Sequence, residues 1–197
     1  GEYINNKKHK KWIYWSKNGQ KTEEINYDNG VHHGSHIKWF GEKSDQHKKF
    51  HINYKDGKKD GNWRHWYSSG VDSLKATYLN GEKDGHWIWW RKNGLKDKEG
   101  FYKKEKKHGL WTIWNDSTGS AYHKLHEETY VNNSIDGKVT KWYKEGGLDR
   151  QGIMRGKEKE GEWTYWERGG KRWLKFDYGD GLEKVTLGEI EERDGIT

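Results

Sequence analysis

The stretch Tyr78-Leu79-Asn80-Gly81-Glu82-Lys83-Asp84-Gly85-His86-Trp87 decides the fold, because 24 residues upstream the chain reads Tyr54-Lys55-Asp56-Gly57-Lys58-Lys59-Asp60-Gly61-Asn62-Trp63. Self-similarity at a fixed period is the mark of a repeat architecture. Extended in both directions, the alignment gives eight unit openings, at Tyr3, Tyr27, Tyr54, Tyr78, Tyr102, Tyr130, Met154 and Tyr178, mostly 24 residues apart. Position 9 after each opening holds Trp12, His36, Trp63, Trp87, Trp111, Val139, Trp163 and Leu187. Position 12 holds Trp15, Trp39, Trp66, Trp90, Trp114, Trp142, Trp166 and Ile190. Twelve of the 14 tryptophans fall on these two columns, so the tryptophans belong to the lattice of the repeat. The last unit puts Val185, Leu187 and Ile190 where the others carry Gly, Trp and Trp, and reads as a degenerate terminal cap.

Glycines punctuate each unit near positions 3, 7 and 16, several of them in Asn-Gly or Asp-Gly pairs such as Asn29-Gly30, Asp56-Gly57 and Asn93-Gly94. Both residues of such a pair tolerate positive φ, which a tight hairpin turn demands. A unit therefore reads as two strands and two turns. One strand is the Trp-x-x-Trp segment, and the other alternates at period two, as in Leu74, Ala76 and Tyr78. Position 10 is mostly β-branched, and no segment shows a 3.6-residue apolar period, so strand is expected over helix. The two Trp columns are three residues apart and should face opposite sides of the sheet. The expected fold is all-β: a single repeat domain over 1–197, an elongated meander of antiparallel hairpins in which each unit touches mainly its neighbours.

Composition agrees with a thin sheet. Hydrophobic residues make up only 29% of the 197, against 35% charged, yet aromatics reach 15%, and disordered chains are poor in aromatics. Large rings bury about 150–250 Å² each, which lets few apolar residues hold a sheet together. No apolar run is long enough to span a membrane as a helix. Cysteine is absent, which excludes disulfides and thiolate chemistry, and proline is absent as well. The chain begins at Gly1 without an initiator Met, a start compatible with a cytoplasmic protein or with an exported one whose leader is removed. The net charge of +7 is uneven: residues 176–197 carry seven acids against Lys184 and Arg193, leaving a basic body. A basic body suits nucleic acid, anionic lipid or an acidic protein, and equally a solvated lysine-coated surface.

The unit Asn80-Gly81-Glu82-Lys83-Asp84-Gly85-His86-Trp87-Ile88-Trp89-Trp90-Arg91-Lys92-Asn93-Gly94 resembles the variant MORN (membrane occupation and recognition nexus) repeat of the bacterial YwqK-type antitoxin family, and the resemblance runs from about residue 2 to 187. It implies a β-hairpin repeat fold, no catalytic activity, no cofactor, and a role as antitoxin or immunity protein that neutralises a cognate toxin by binding it. Units two and six depart from the pattern by placing His36 and Val139 where the first Trp is expected.

Position 11 is where the units differ most: Tyr14, Lys38, His65, Trp89, Ile113, Lys141 and Tyr165. Variable residues on a constant frame suit recognition of one protein surface, whereas a glycan-binding array would repeat the same pocket. Tyr14, Lys38, His65, Trp89, Lys141 and Tyr165 are accordingly the candidate partner-binding residues, with Trp89 and Tyr165 as aromatic anchors. The bland alternative is that they are ordinary cross-strand neighbours. A cell-surface or envelope glycan-binding array remains the second functional reading, and nucleic-acid or anionic-lipid binding the third.

Other constellations are weaker. His32, His33 and His36 have the ligand chemistry for zinc or nickel, but no fourth ligand is placed by spacing, and His32 and His33 align with turn residues of other units. His123 and His126 with Glu127 and Glu128 do not have the His-Glu-x-x-His spacing of a metallohydrolase. No catalytic residue is expected, and the glycines read as turn residues rather than a phosphate cradle. Two insertions, around Gly41–His47 and Asp116–His123, are expected to project as loops.

Overall fold

The computed structural model describes residues 1–41, 47–117, 121–170 and 173–179. The terminal cap at 185–190, most of the acidic tail and the centres of both insertions lie outside these residues. The described residues form strands β1 (Glu2–Ile4), β2 (Lys7–Trp15), β3 (Lys21–Asp28), β4 (Val31–Trp39), β5 (Lys48–Lys55), β6 (Lys58–Trp66), β7 (Asp72–Leu79), β8 (Glu82–Lys83), β9 (Gly85–Trp90), β10 (Lys96–Lys103), β11 (Lys106–Trp114), β12 (Lys124–Val131), β13 (Ser134–Trp142), β14 (Leu148–Arg155), β15 (Glu158–Trp166) and β16 (Trp173–Tyr178). They pair antiparallel in chain order, except that the short β8 and β9 both pair with β7, giving the all-β hairpin meander that the repeat predicts. Two compact units are distinguishable. The first is Gly1–Lys96 with Tyr102–Glu105, and the second is Asp97–Phe101 with Lys106 onward.

Two kinds of turn alternate. The first has two central residues, both at positive φ: Asn29 (47°) with Gly30 (84°), Asp56 (49°) with Gly57 (78°), Asn80 (52°) with Gly81 (94°). This is the type I′ geometry whose twist matches the flanking strands. Lys104-Glu105 and Asn132-Asn133 adopt it without any glycine. The second kind is longer and closes on a glycine. In it Gly70 N–H donates to Tyr67 O at 2.9 Å and Tyr67 N–H to Val71 O at 2.8 Å, and the same pair recurs at Ser16–Gln20, Arg91–Leu95 and Tyr143–Gly147. The I′ turns are stitched to the preceding unit: Gly30, Gly57 and Gly81 donate to the carbonyls of Lys8, His32 and Lys59 at 2.7–2.8 Å.

The position-7 glycines correct the sequence reading. Gly34, Gly61, Gly109, Gly137 and Gly161 lie inside nine-residue strands, not in turns, at φ between 61° and 132°. Pairing slips there: Tyr27 faces His32 but Ile25 faces His36, so three residues of β4 oppose Asn26 alone. Such a bulge leaves one residue at left-handed φ, the conformation glycine adopts without strain. These strands therefore start five residues before the Trp-x-x-Trp segment, and His32 and Lys59 are strand residues rather than turn residues.

Contacts divide the side chains between two faces as the odd Trp spacing predicts. The Lys8 ammonium lies over the rings of Trp12, Tyr14 and Tyr27, while Lys21 lies over Trp15 and Trp39 and pairs with Glu24. The most buried apolar side chains, among them Ile25, Ile52, Ala76, Tyr78, Trp87, Trp111, Val139 and Trp163, belong to the face that carries position 9.

Candidate binding face

On this aromatic face three of the five position-9 tryptophans lean back across the preceding strand. The indole N–H of Trp87 donates to Thr77 O, that of Trp111 to Phe101 O, and that of Trp163 to Ile153 O, at 2.9–3.1 Å. Beneath the ring the strand must be slim. Ala76 packs with Trp87, and a Cβ added to Gly100 or Gly152 would run into the indole of Trp111 or Trp163. The other two position-9 tryptophans lack this hydrogen bond: Trp12, which lies over Gly1, and Trp63. Ile25 stands beside His36 and Glu128 beside Val139, while Trp63 is set against Ile52.

Position 5 supplies a lysine to each box built on a position-9 tryptophan. Lys59 sits 4.6 and 4.8 Å from the ring centres of Trp63 and Tyr78, Lys83 at 5.5 and 5.1 Å from Trp87 and Tyr102, and Lys107 at 4.4 and 4.7 Å from Trp111 and Tyr130. Lys159 caps Trp163, Tyr165 and Tyr178 in the same way and donates to both phenols, at 2.8 and 2.9 Å. Burial lowers the Lys107 pKa. In Lys159 burial pulls the same way, but the two phenol hydrogen bonds prevail and raise it. A desolvated ammonium over aromatic faces is worth about 0.5–2 kcal/mol. These boxes hold their own cation.

Further along the same face, position 11 and the residue facing it on the next strand form a row that crosses the strands. In the first unit the register runs Tyr14, Glu23, Lys38, Phe50, His65, Leu74, Trp89, one residue from each of seven consecutively paired strands. At about 4.8 Å per strand the row is roughly 29 Å long. In the second unit it runs Ile113, His126, Lys141, Arg150, Tyr165, Leu174. Four of the sequence candidates thus share one row in the first unit, and Lys141 and Tyr165 share the row of the second.

Each candidate also has neighbours within the chain. The Tyr14 hydroxyl accepts from Lys8 Nζ at 2.8 Å, His65 Nδ1 bonds Ser73 Oγ at 2.7 Å, and Lys38 and Lys141 each stand 3.7 Å from Glu23 and Glu128. Trp89 rests against Trp87 with ring centres 5.5 Å apart, and Phe176 meets Tyr165 edge-on at 5.4 Å. The anchors are therefore half-buried members of the row, held in fixed positions. The sequence reading missed Glu23, Phe50, Leu74, His126, Arg150 and Leu174, which complete the row. Finding them requires the cross-strand register, which the bulges shift.

The histidines named above separate. His32 lies among Tyr27, His36 and Tyr54 on the aromatic face, with its pKa lowered by burial. His36 Nε2 bonds Glu23 at 2.8 Å, whereas His33 bonds Asp56 at 3.2 Å. His123 is held by Asn115, Ala121 O and Tyr143 O, and His126 lies 3.9 Å from Glu128. Among the described residues no group of three or more His, Cys, Asp or Glu is placed to hold a metal ion, and no helix is long and apolar enough to cross a membrane.

The opposite face carries the position-12 tryptophans with ion pairs between them. Arg64 forks onto Asp72 at 2.7 and 2.9 Å while lying over Trp66, and Lys75 lies over Trp90. A scan against protein-family models and a search of curated proteins return no match to this chain.

Proposed function

We propose that this chain is a non-enzymatic protein-binding repeat protein whose docking surface is the cross-strand row of the aromatic face. The observation that carries the reading is the contrast along that face. The boxes of Trp, Tyr and Lys repeat from unit to unit, while the adjacent row changes from Tyr14 to Glu23, Lys38, Phe50, His65, Leu74 and Trp89. A row of mixed chemistry on a rigid frame matches one particular partner surface, with half-buried aromatics as anchors and charges at the rim. Together with the sequence resemblance this supports an antitoxin or immunity role, in which the row covers the active surface of a cognate toxin. Co-expression with the product of the adjacent gene tests it. That product should arrest growth alone and be neutralised by the intact chain but not by the Trp89→Ala/Tyr165→Ala variant. Neutralisation unaffected by the double substitution would remove the row from the interaction.

A second reading rests on the opposite face. Trp15, Trp39, Trp66 and Trp90 recur on alternate strands, about 9.5 Å apart, a spacing that suits stacking along an extended envelope or cell-surface glycan. Retention on purified peptidoglycan, lost on Trp39→Ala/Trp66→Ala, would favour it.

A further inference from the structure

One box breaks the pattern in all three of its members together. In the other units before the terminal cap, position 5, position 9 and the next opening are Lys with Trp and Tyr, or the imidazole set His32, His36 and Tyr54. In unit six they are Ile135, Val139 and Met154. Where the cation is absent, both rings that would hold it are absent too. A half-open cavity of about 160 Å³ on the aromatic face is lined by these three side chains and Trp163, with Val139 the most deeply buried of them. An apolar cavity of roughly 150 Å³ takes a benzene-sized group.

The rim of this cavity is basic. Lys141 and Arg150, two consecutive members of the cross-strand row, line it together with Lys159 and Glu128. Glu128 is already engaged, since it accepts from the Tyr130 hydroxyl at 2.7 Å and faces Lys141 at 3.7 Å and His126 at 3.9 Å. Arg150 has Asp149 at 3.7 Å, a loose pairing that leaves room for an incoming carboxylate. Three cations, against Glu128 in the lining and Asp149 beside Arg150, give the rim a positive balance beside its apolar side chains.

We propose that this cavity is an anchor site for a protein segment that presents one aliphatic or aromatic side chain next to a carboxylate, with the side chain entering over Ile135, Val139 and Met154 and the carboxylate held by Arg150 and Lys141. Arg offers the planar fork that carboxylates accept best, and a pocket within a binding row can seat an anchoring side chain of the partner. The proposal rests on the reading of this face as a docking surface and names the chemistry it selects.

The chain offers a direct reporter, because Met154 is its one methionine. With the methyl carbon labelled, its resonance is followed while N-acetyl-leucine, and separately N-acetyl-leucinamide, is added to the full chain. The acid should shift the Met154 signal saturably and the amide should bind about tenfold more weakly, the loss expected for one charge-assisted hydrogen bond. Arg150→Gln should weaken the acid to the level of the amide. Val139→Trp, whose bulk would fill the cavity, should abolish the shift, while His36→Trp, at another unit lacking this tryptophan, should leave it unchanged. An unmoved Met154 signal, or equal binding of acid and amide, overturns the proposal even if a toxin partner is found. A saturable, carboxylate-dependent shift supports it even if neutralisation of the adjacent gene product fails.

Discussion

Trp163 lies across the backbone of Gly152 one strand back, and its indole N–H donates to the next carbonyl, Ile153 O, at 2.9 Å. The same relation joins Trp111 to Gly100 and Phe101. Gly152 has to be glycine for want of space, not for its φ. Gly152→Val should therefore lift the indole off the strand, break the hydrogen bond and destabilise the chain by about 1–3 kcal/mol, the usual cost of overpacking. Urea unfolding followed by tryptophan fluorescence measures this. An unchanged midpoint would mean that the ring finds an equally good seat.

Ile52 and Trp63 give the converse case. The Trp63 indole N–H is buried without a hydrogen bond, and the branched Ile52 is its register partner. Ile52→Ala, ordinarily a loss of about 2–5 kcal/mol in a core, should cost less than 2 here, since Trp63 can drop onto the strand and donate to Asn53 O. The Trp63 indole proton should then become protected from exchange.

Lys10 occupies position 7 of the first unit, at φ 60°, where the other units of the first half carry glycine. Left-handed geometry costs an L-residue about 1–2 kcal/mol. Its ion pair with Glu2, 2.8 Å long but with the Lys10 side chain 69% exposed, returns little of that. Lys10→Gly should raise the unfolding free energy by about 1 kcal/mol, read as a higher urea midpoint with an unchanged slope.

Burial holds the imidazoles of His32, His51, His65 and His126 below their ordinary pKa. The unfolded chain then takes up protons near pH 6.5, before the folded chain does. The stabilisation from neutral histidine is complete above that value and is lost as the pH falls through it. Melting temperature should decline between pH 7 and 5. Only nearer pH 4 should the carboxylates contribute: Glu24, held low by its hydrogen bond from Lys11, and Asp72, where Arg64 overcomes the upward push of burial. Replacing His32 and His126 with Phe and Leu should flatten the upper part of that decline. At the alkaline end burial pushes the Tyr78 phenol up to about 12. The unfolded chain ionises first, near pH 10, so stability should fall from there toward pH 12, by on the order of 2–3 kcal/mol for this residue.

The repeat period, the strand-turn alternation and the two-faced Trp columns were legible because each is a local pattern, repeated up to eight times. The position-11 row was half legible: Tyr14, Lys38, His65 and Trp89 could be found by counting. Their partners Glu23, Phe50 and Leu74 could not, because two sorts of bulge shift the pairing between these strands. The lysine boxes were hidden for a related reason. Lys58 and Lys59 are adjacent in sequence, and only the start of β6 directly after the turn sends Lys59 to the aromatic face. The cavity of unit six needed both facts, since Ile135 is unremarkable until position 5 is known to hold a cation.

Each strand within a unit grips only the strand before it and the strand after it, so the hydrogen-bonded ladders are connected in series. Pulled apart across the strands, such a sheet yields one ladder at a time, and its strength is that of a single hairpin. A partner lying along the row from Tyr14 to Trp89 would bridge seven strands in parallel. Occupancy of that row should therefore be felt as mechanical stiffening, with the first unit peeling at markedly higher force when bound than when free.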